Sequence, residues 1–314
     1  MQSFQYFLQQ FINGLSVGSI YALIAVGYTM VYGVLQLINF AHGDVFMVGA
    51  ILTLVLARMF GFVTPGHTTE SWLAFALVVC CSIVVCGTMG FTIERLAYRP
   101  LRNRPRINSL ITAIGISLLL EFGGQHRSVF GPTPQPFPVG MVPGIREKLF
   151  SVGVIFVSRA DALILVVTLL LMLGLSYVVL KTKPGLALRA VSYRFDTAAL
   201  MGVNIDRTIS FTFVLGSVLA AVAGVLFAIK YPRVEPLMGL LPGIKAFIAA
   251  VFGGIGNIAG AVAGAMIIGV VEVMVVGYVE NGSQYRDAIA FVLLIAILLI
   301  KPSGLFGKHV VEKV

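Results

Sequence analysis

The chain has 314 residues, 58% of them hydrophobic and only 11% charged, with a formal net charge of +9. That is more apolar surface than a soluble core of this size needs, so a soluble enzyme is excluded. The basic residues fall in short loops between apolar runs rather than in one exposed stripe, which makes them topology signals and excludes a nucleic-acid partner.

In chain order, apolar runs at 11–34, 72–93, 107–122, 161–180, 209–229, 259–279 and 288–300 approach the length needed to cross roughly 30 Å of hydrocarbon. They must be helical, because lipid offers backbone N–H and C=O groups no partner. No Lys or Arg precedes Arg58, so the charged start of a signal peptide is missing and the first span is expected to be retained. The segment near residues 34–58 is interrupted by Asn39, His42 and Asp44 and reads as a broken or re-entrant element. Cys80, Cys81 and Cys86 share one apolar span and behave as small hydrophobes.

The densest basic loop carries Arg95, Arg99, Arg102, Arg104 and Arg106, which places it in the cytoplasm. Residues 123–160 form the one sizeable outer loop, extended and turn-rich because of Pro132, Pro134, Pro136, Pro138 and Pro143. The segment 181–208, with Lys181, Lys183, Arg189, Arg194 and Arg207, returns to the cytoplasm, as does the tail with Lys301, Lys308 and Lys313. The parity then needs a further crossing, for which 241–256 is the candidate. The resulting expectation is an all-α, polytopic transmembrane bundle, a single domain over 1–314. It has about eight crossings plus the broken segment, and both termini are cytoplasmic. Counting 34–58 as a span gives nine crossings with the N terminus outside.

Gly14 and Gly18, and Gly256, Gly260 and Gly264 preceded by Gly253 and Gly254, form small-residue stripes of the kind that lets helices pack closely. A break at membrane depth is tolerated only where it is buried in protein or lines a wet cavity. Asn39, His42 and Asp44 are therefore candidate pathway-lining residues, with helix capping as the compatible plainer role for Asn39 and Asp44. Glu272 lies deepest in apolar sequence, as a pathway lining or as a hydrogen-bonded structural carboxylate. Glu121, Lys230 and Lys245 are placed near span ends, where snorkelling suffices.

No GxxxxGK[ST] phosphate loop occurs; the nearest string, Gly304-Leu-Phe-Gly-Lys-His309, has the wrong spacing. No HExxH metal motif or GxSxG elbow is present. The chain is therefore expected to be no enzyme and to bind no metal or cofactor. If ATP drives transport, the ATPase is another polypeptide. Between 185 and 204 the cytoplasmic sequence reads as one or two short amphipathic helices, with Ala187, Ala190, Val191 and Arg194 at helical spacing and Gly202 as a stop. Such a segment suits docking into a groove on a soluble partner, or lying on lipid headgroups.

Several strings together resemble the branched-chain amino acid ABC transporter permease family, in particular its LivH-type subunit. They are Tyr21-Ala-Leu-Ile-Ala-Val-Gly-Tyr-Thr-Met-Val-Tyr-Gly33, Ile38-Asn-Phe-Ala-His-Gly-Asp44, Ile93-Glu-Arg-Leu-Ala-Tyr-Arg-Pro-Leu-Arg102, Gly202-Val-Asn-Ile-Asp206, the glycine-rich 245–272 and Pro302-Ser-Gly-Leu-Phe-Gly307. The resemblance implies an importer of leucine, isoleucine or valine in a bacterial inner membrane. This chain would pair with a second, LivM-like permease, two cytoplasmic ABC ATPases that use ATP, and an extracytoplasmic solute-binding protein. It also implies that Gly185, Arg189, Ala190, Tyr193, Arg194, Asp196 and Gly202 belong to the segment that couples to the ATPase. Relatives commonly carry an acidic pair where this chain has Tyr193 and Arg194. The alternatives are the same machine for urea, a short amide or another amino acid, and an ion-coupled carrier.

Overall fold

The computed structural model describes residues 2–102, 104–152 and 155–307; Lys308 and Lys313 lie outside the described residues. The chain folds as α1 (Gln2–Leu35), α2 (His42–Met59), α3 (Trp72–Ile93), α4 (Arg106–Gln125), α5 (Arg159–Lys181), α6 (Lys183–Tyr193), α7 (Phe195–Leu200), α8 (Ile205–Lys230), α9 (Leu240–Gly253), α10 (Ile258–Tyr278) and α11 (Arg286–Ile300). Helix α3 runs on through a π turn at Glu94–Tyr98 and a 3-10 turn at Arg99–Leu101, so the first half of the basic loop prolongs a helix. Polar side chains start the helices where the sequence offers them. Ser71, Ser158, Thr182, Asn204 and Asn257 each accept a backbone N–H bond in the first turn of α3, α5, α6, α8 and α10, satisfying donors that have no intrahelical partner.

Helices α1 and α8 form the centre, with 94% and 78% of their apolar windows buried, whereas α4, α5 and α11 show 17%, 22% and 11% and make the rim. The rim helices turn Leu118, Leu119, Leu169, Leu170, Leu173, Leu299 and Ile300 outward, as a lipid-facing surface requires. The loop after α4 is anchored by buried Phe137, Met141, Val142 and Ile145. Its Gln135–Pro136 strand pairs with Arg233–Val234, and Lys148–Val152 pairs with Ile155–Ser158.

Eight helices are long and apolar enough to cross a membrane, matching the expected number, but the set differs. The break after α1 is confined to residues 36–41, after which α2 is a continuous helix of 18 residues, about 27 Å long. Helix α9 has only 14 residues. It starts beside α2, where the Gly43 Cα hydrogen faces the Gly239 carbonyl and Gly243, and the non-helical stretch before it completes the passage.

A crossing by α2 corresponds to the count in which residues 34–58 form a span. Tyr6 donates to the Gly277 carbonyl at 3.0 Å, at the end of α10, while Asn257 Nδ2 donates to the Phe306 carbonyl at 3.2 Å, at its start. A helix of 21 residues, about 31 Å, separates the two contacts. Tyr6 and Phe306 therefore lie at opposite ends of α10, the arrangement expected if α9 crosses together with the eight long helices. Epitope tags added at the two termini should be reached by antibody from opposite faces of sealed vesicles; exposure of both on one face would refute this arrangement.

Candidate functional site

Between α1, α5, α8 and α10, at the end of the bundle that carries the 126–158 loop, lies a cavity of about 960 Å³. Its lining mixes the aliphatic Val17, Ile229, Val273 and Val276 with the polar and charged Gln10, Asn13, Arg146, Asp161, Lys230, Glu272 and Arg286. Asp161, in the first turn of α5, accepts from Ser158 Oγ at 2.6 Å, Ser16 Oγ at 2.8 Å and Lys230 Nζ at 2.5 Å. Three polar groups, from α1, α8 and the strand before α5, thus meet on one carboxylate.

The second cluster centres on Glu272, only 1% exposed. Its carboxylate accepts from Tyr21 Oη at 3.1 Å, from Lys245 Nζ at 3.0 Å and from Arg286 Nε. Lys245 also pairs with Asp287 at 2.7 Å, and Arg286 donates to Tyr231 Oη at 3.2 Å. The network ties α1, α9, α10 and α11 together. It meets the requirement that a charge taken out of water be paired and hydrogen-bonded.

Lys230 and Lys245 therefore do not snorkel as the sequence reading proposed, because each has a carboxylate within reach inside the bundle. Glu121 is also buried, and it faces the Asp44 carboxyl together with Ser117. Asp44 lies in the first turn of α2. Asn39 Oδ1 accepts from Tyr98 Oη at 2.9 Å, pinning the break to the π turn that prolongs α3. His42 fills the notch opposite Gly27 and lies edge-on to Tyr28, ring centroids 4.7 Å apart. Of the four pathway candidates, Glu272 lines the large cavity; Asn39, His42 and Asp44 are buried in the packed layer beyond it.

The glycines divide into two kinds. Gly14 and Gly18 of α1 abut the α10 backbone at Val270 and Met266, and Gly253, Gly260 and Gly264 bring α9 against α10. Gly254 and Gly256 instead adopt φ of +105° and +91° in the turn between these helices, and nothing lies within 4 Å of a Cβ built at Gly256. Gly256 is thus a turn residue, outside the packing stripe assigned to it from spacing.

At the opposite end, Gly185 packs against the end of α5, Arg189 donates to the Leu180 carbonyl at 3.4 Å, and Ala190 lies on α6. Arg194 separates α6 from α7, Asp196 lies in the first turn of α7, and Gly202 turns at φ +81° before α8. Tyr193, Leu200 and Met201 project outward, 88%, 87% and 80% exposed.

The sequence reading missed Asp161, Arg286, Tyr21 and Tyr231, and named Lys230 without its partner. A signal existed for Asp161 and Lys230, because an acid opening one span and a lysine closing another are natural partners at the same depth. Nothing local pointed to the tyrosines, whose hydroxyls matter only through α10 and α11.

Apolar passages around a charge-lined cavity, with an exposed helix pair at one end, define a polytopic membrane permease. Residues 10–298 match the family described as branched-chain amino acid transport system / permease component, and the chain belongs to that family. It is 42% identical over 317 residues to the high-affinity branched-chain amino acid transport system permease protein LivH of Salmonella typhimurium, covering 100% of this chain and 99% of that protein. The corresponding LivH of Escherichia coli K12 is 42% identical over 319 residues, with the same coverage. BraD of Pseudomonas aeruginosa, a permease protein of the same kind of system, is 42% identical over 316 residues and covered in full.

Proposed function

We propose that this chain is the translocating subunit of an ATP-driven importer for leucine, isoleucine and valine in a bacterial inner membrane. One observation carries the reading: the cavity is lined both by aliphatic side chains, Val17, Ile229, Val273 and Val276, and by paired cations and carboxylates. A branched-chain amino acid has the same two halves, an aliphatic side chain and a zwitterionic head. The names of the relatives support the same solute class.

In this reading the basic end, with Arg95, Arg99 and the 181–208 segment, is cytoplasmic. The N terminus and the 126–158 loop are then extracytoplasmic, where a solute-binding protein delivers its cargo. The cavity is the outward vestibule. Gly27 lies about 15 Å further along α1 than Val17, so His42 and Asp44, with Asn39 beyond them, belong to the layer that must open for passage. A second permease subunit completes the pore, and two ATPases engage α6 and α7.

The test is uptake of labelled leucine, isoleucine and valine into vesicles holding this chain with its partner permease, ATPases and binding protein, with and without ATP inside. ATP-dependent accumulation that disappears when this chain is omitted is the expected result; equal accumulation without ATP would show a carrier instead. Tyr193→Asp combined with Leu200→Asp should cut ATP-dependent uptake by about tenfold or more at unchanged membrane abundance, since exposed aromatic and aliphatic anchors dominate docking energy. Undiminished uptake would remove α6 and α7 from the coupling surface.

A further inference from the structure

A second groove, of about 470 Å³, lies between the end of α3 and the start of α8. Its rim carries Arg95, Arg99 and Arg207, and its inner walls carry Phe91, Phe211 and Val214. On each helix the aromatic ring lies one turn deeper in the bundle than the arginine, Phe91 before Arg95 and Phe211 after Arg207, with the Arg95 guanidinium 5.7 Å from the Phe91 ring. The groove is therefore cationic at the bundle end and apolar toward the middle.

The cations are only partly neutralised. Arg99 and Arg102 share Asp206, and Arg102 also binds the fully buried Glu94. Glu94 accepts in addition from Ser210 Oγ at 2.5 Å, which locks the π turn onto α8. Arg95 and Arg207 are exposed and have no carboxylate partner among the described residues. A rigid groove with spare guanidinium groups above an apolar wall repeats the polarity of one molecule, a phospholipid with an anionic headgroup.

We propose that this groove is a binding site for an anionic phospholipid, its headgroup phosphate held by Arg95 and Arg207 and its acyl chains laid along Phe91, Phe211 and Val214. The lipid would bridge α3 to α8, the helix that continues directly from α7, and so brace the segment next to the ATPase-facing surface. Solute identity plays no part in this argument, so the site stands or falls independently of the transport reading.

The test uses the assembled complex in nanodiscs made from an equal mixture of phosphatidylglycerol and phosphatidylcholine, extracted mildly and analysed by native mass spectrometry. Wild-type protein should retain phosphatidylglycerol in preference to phosphatidylcholine. Arg95→Gln with Arg207→Gln should abolish that preference, while Arg127→Gln, in the loop after α4, should keep it. On the unaltered protein, phosphatidylglycerol with a photoactivatable acyl chain should crosslink to peptides containing Phe91 and Phe211. Crosslinks scattered over the rim helices, or full retention by the double variant, would overturn the proposal. So would displacement of the lipid by inorganic phosphate, which would make this a free-phosphate site, or its exclusion by a partner subunit covering the groove.

Discussion

Glu272→Gln should lower the stability of the purified protein by about 3–5 kcal/mol, the usual cost of removing one partner from a buried ion pair, with a matching fall in membrane abundance. Among the described residues Glu272 is the one carboxylate paired with both Lys245 and Arg286, and its substitution leaves Lys245 with only Asp287, which is 46% exposed, and Arg286 with no carboxylate. The Lys245 side chain is 5% exposed. Adding Lys245→Met to Glu272→Gln removes the more deeply buried of the two orphaned cations, so the double variant should regain the part of the loss that comes from Lys245, while Arg286, 35% exposed, still lacks its carboxylate. Detergent unfolding curves for the two variants decide the point; a single variant as stable as wild type would show that the cluster does not hold the four helices. If the double variant folds but fails in uptake, Glu272 has a role in passage besides its structural one.

What was legible in the sequence depended on whether a signal was local. Apolar runs gave the helical bundle because burial in lipid leaves backbone groups no alternative, whereas the Ser, Thr and Asn caps that start five helices emerged only from the structure. The polar run at Asn39, His42 and Asp44 marked a real break, yet it weakened the reading of the 18-residue helix α2 that follows. Counting that one crossing reverses the parity of the termini. The charged residues were harder, because a lysine near a span end looks the same whether it snorkels or meets a carboxylate from a helix far away in sequence. Lys245 and Glu272 are 27 residues apart and Lys230 and Asp161 69 apart, and no spacing rule links them. The cavity was illegible for the same reason: its walls come from α1, α5, α8 and α10, and it exists only once those helices are packed.

Gly18→Leu should be the most damaging single change on the central helix. A Cβ at Gly18 would lie 2.9 Å from Met266 Cα and 3.0 Å from the Ala265 carbonyl oxygen, and Gly269 meets Gly18 from the opposite direction. These neighbours are backbone atoms, so no rotamer change makes room, and α1 must part from α10 although 94% of its apolar window is buried within the bundle. The cost belongs at the upper end of overpacking penalties, about 3 kcal/mol or more, and it falls on an interface whose association in lipid depends on close packing rather than on the hydrophobic effect. Gly256→Ala is the matched contrast. It has open space around it but a φ of +91°, so it should cost only the backbone strain of about 1–2 kcal/mol, and Gly256→Asn, which tolerates positive φ better, should cost less still. Abundance and unfolding temperature in detergent separate the two mechanisms: Gly18→Leu must fall well below both Gly256 variants. If it ranks with them, the α1–α10 contact is looser than the geometry requires, and the central helix can move against α10 without penalty.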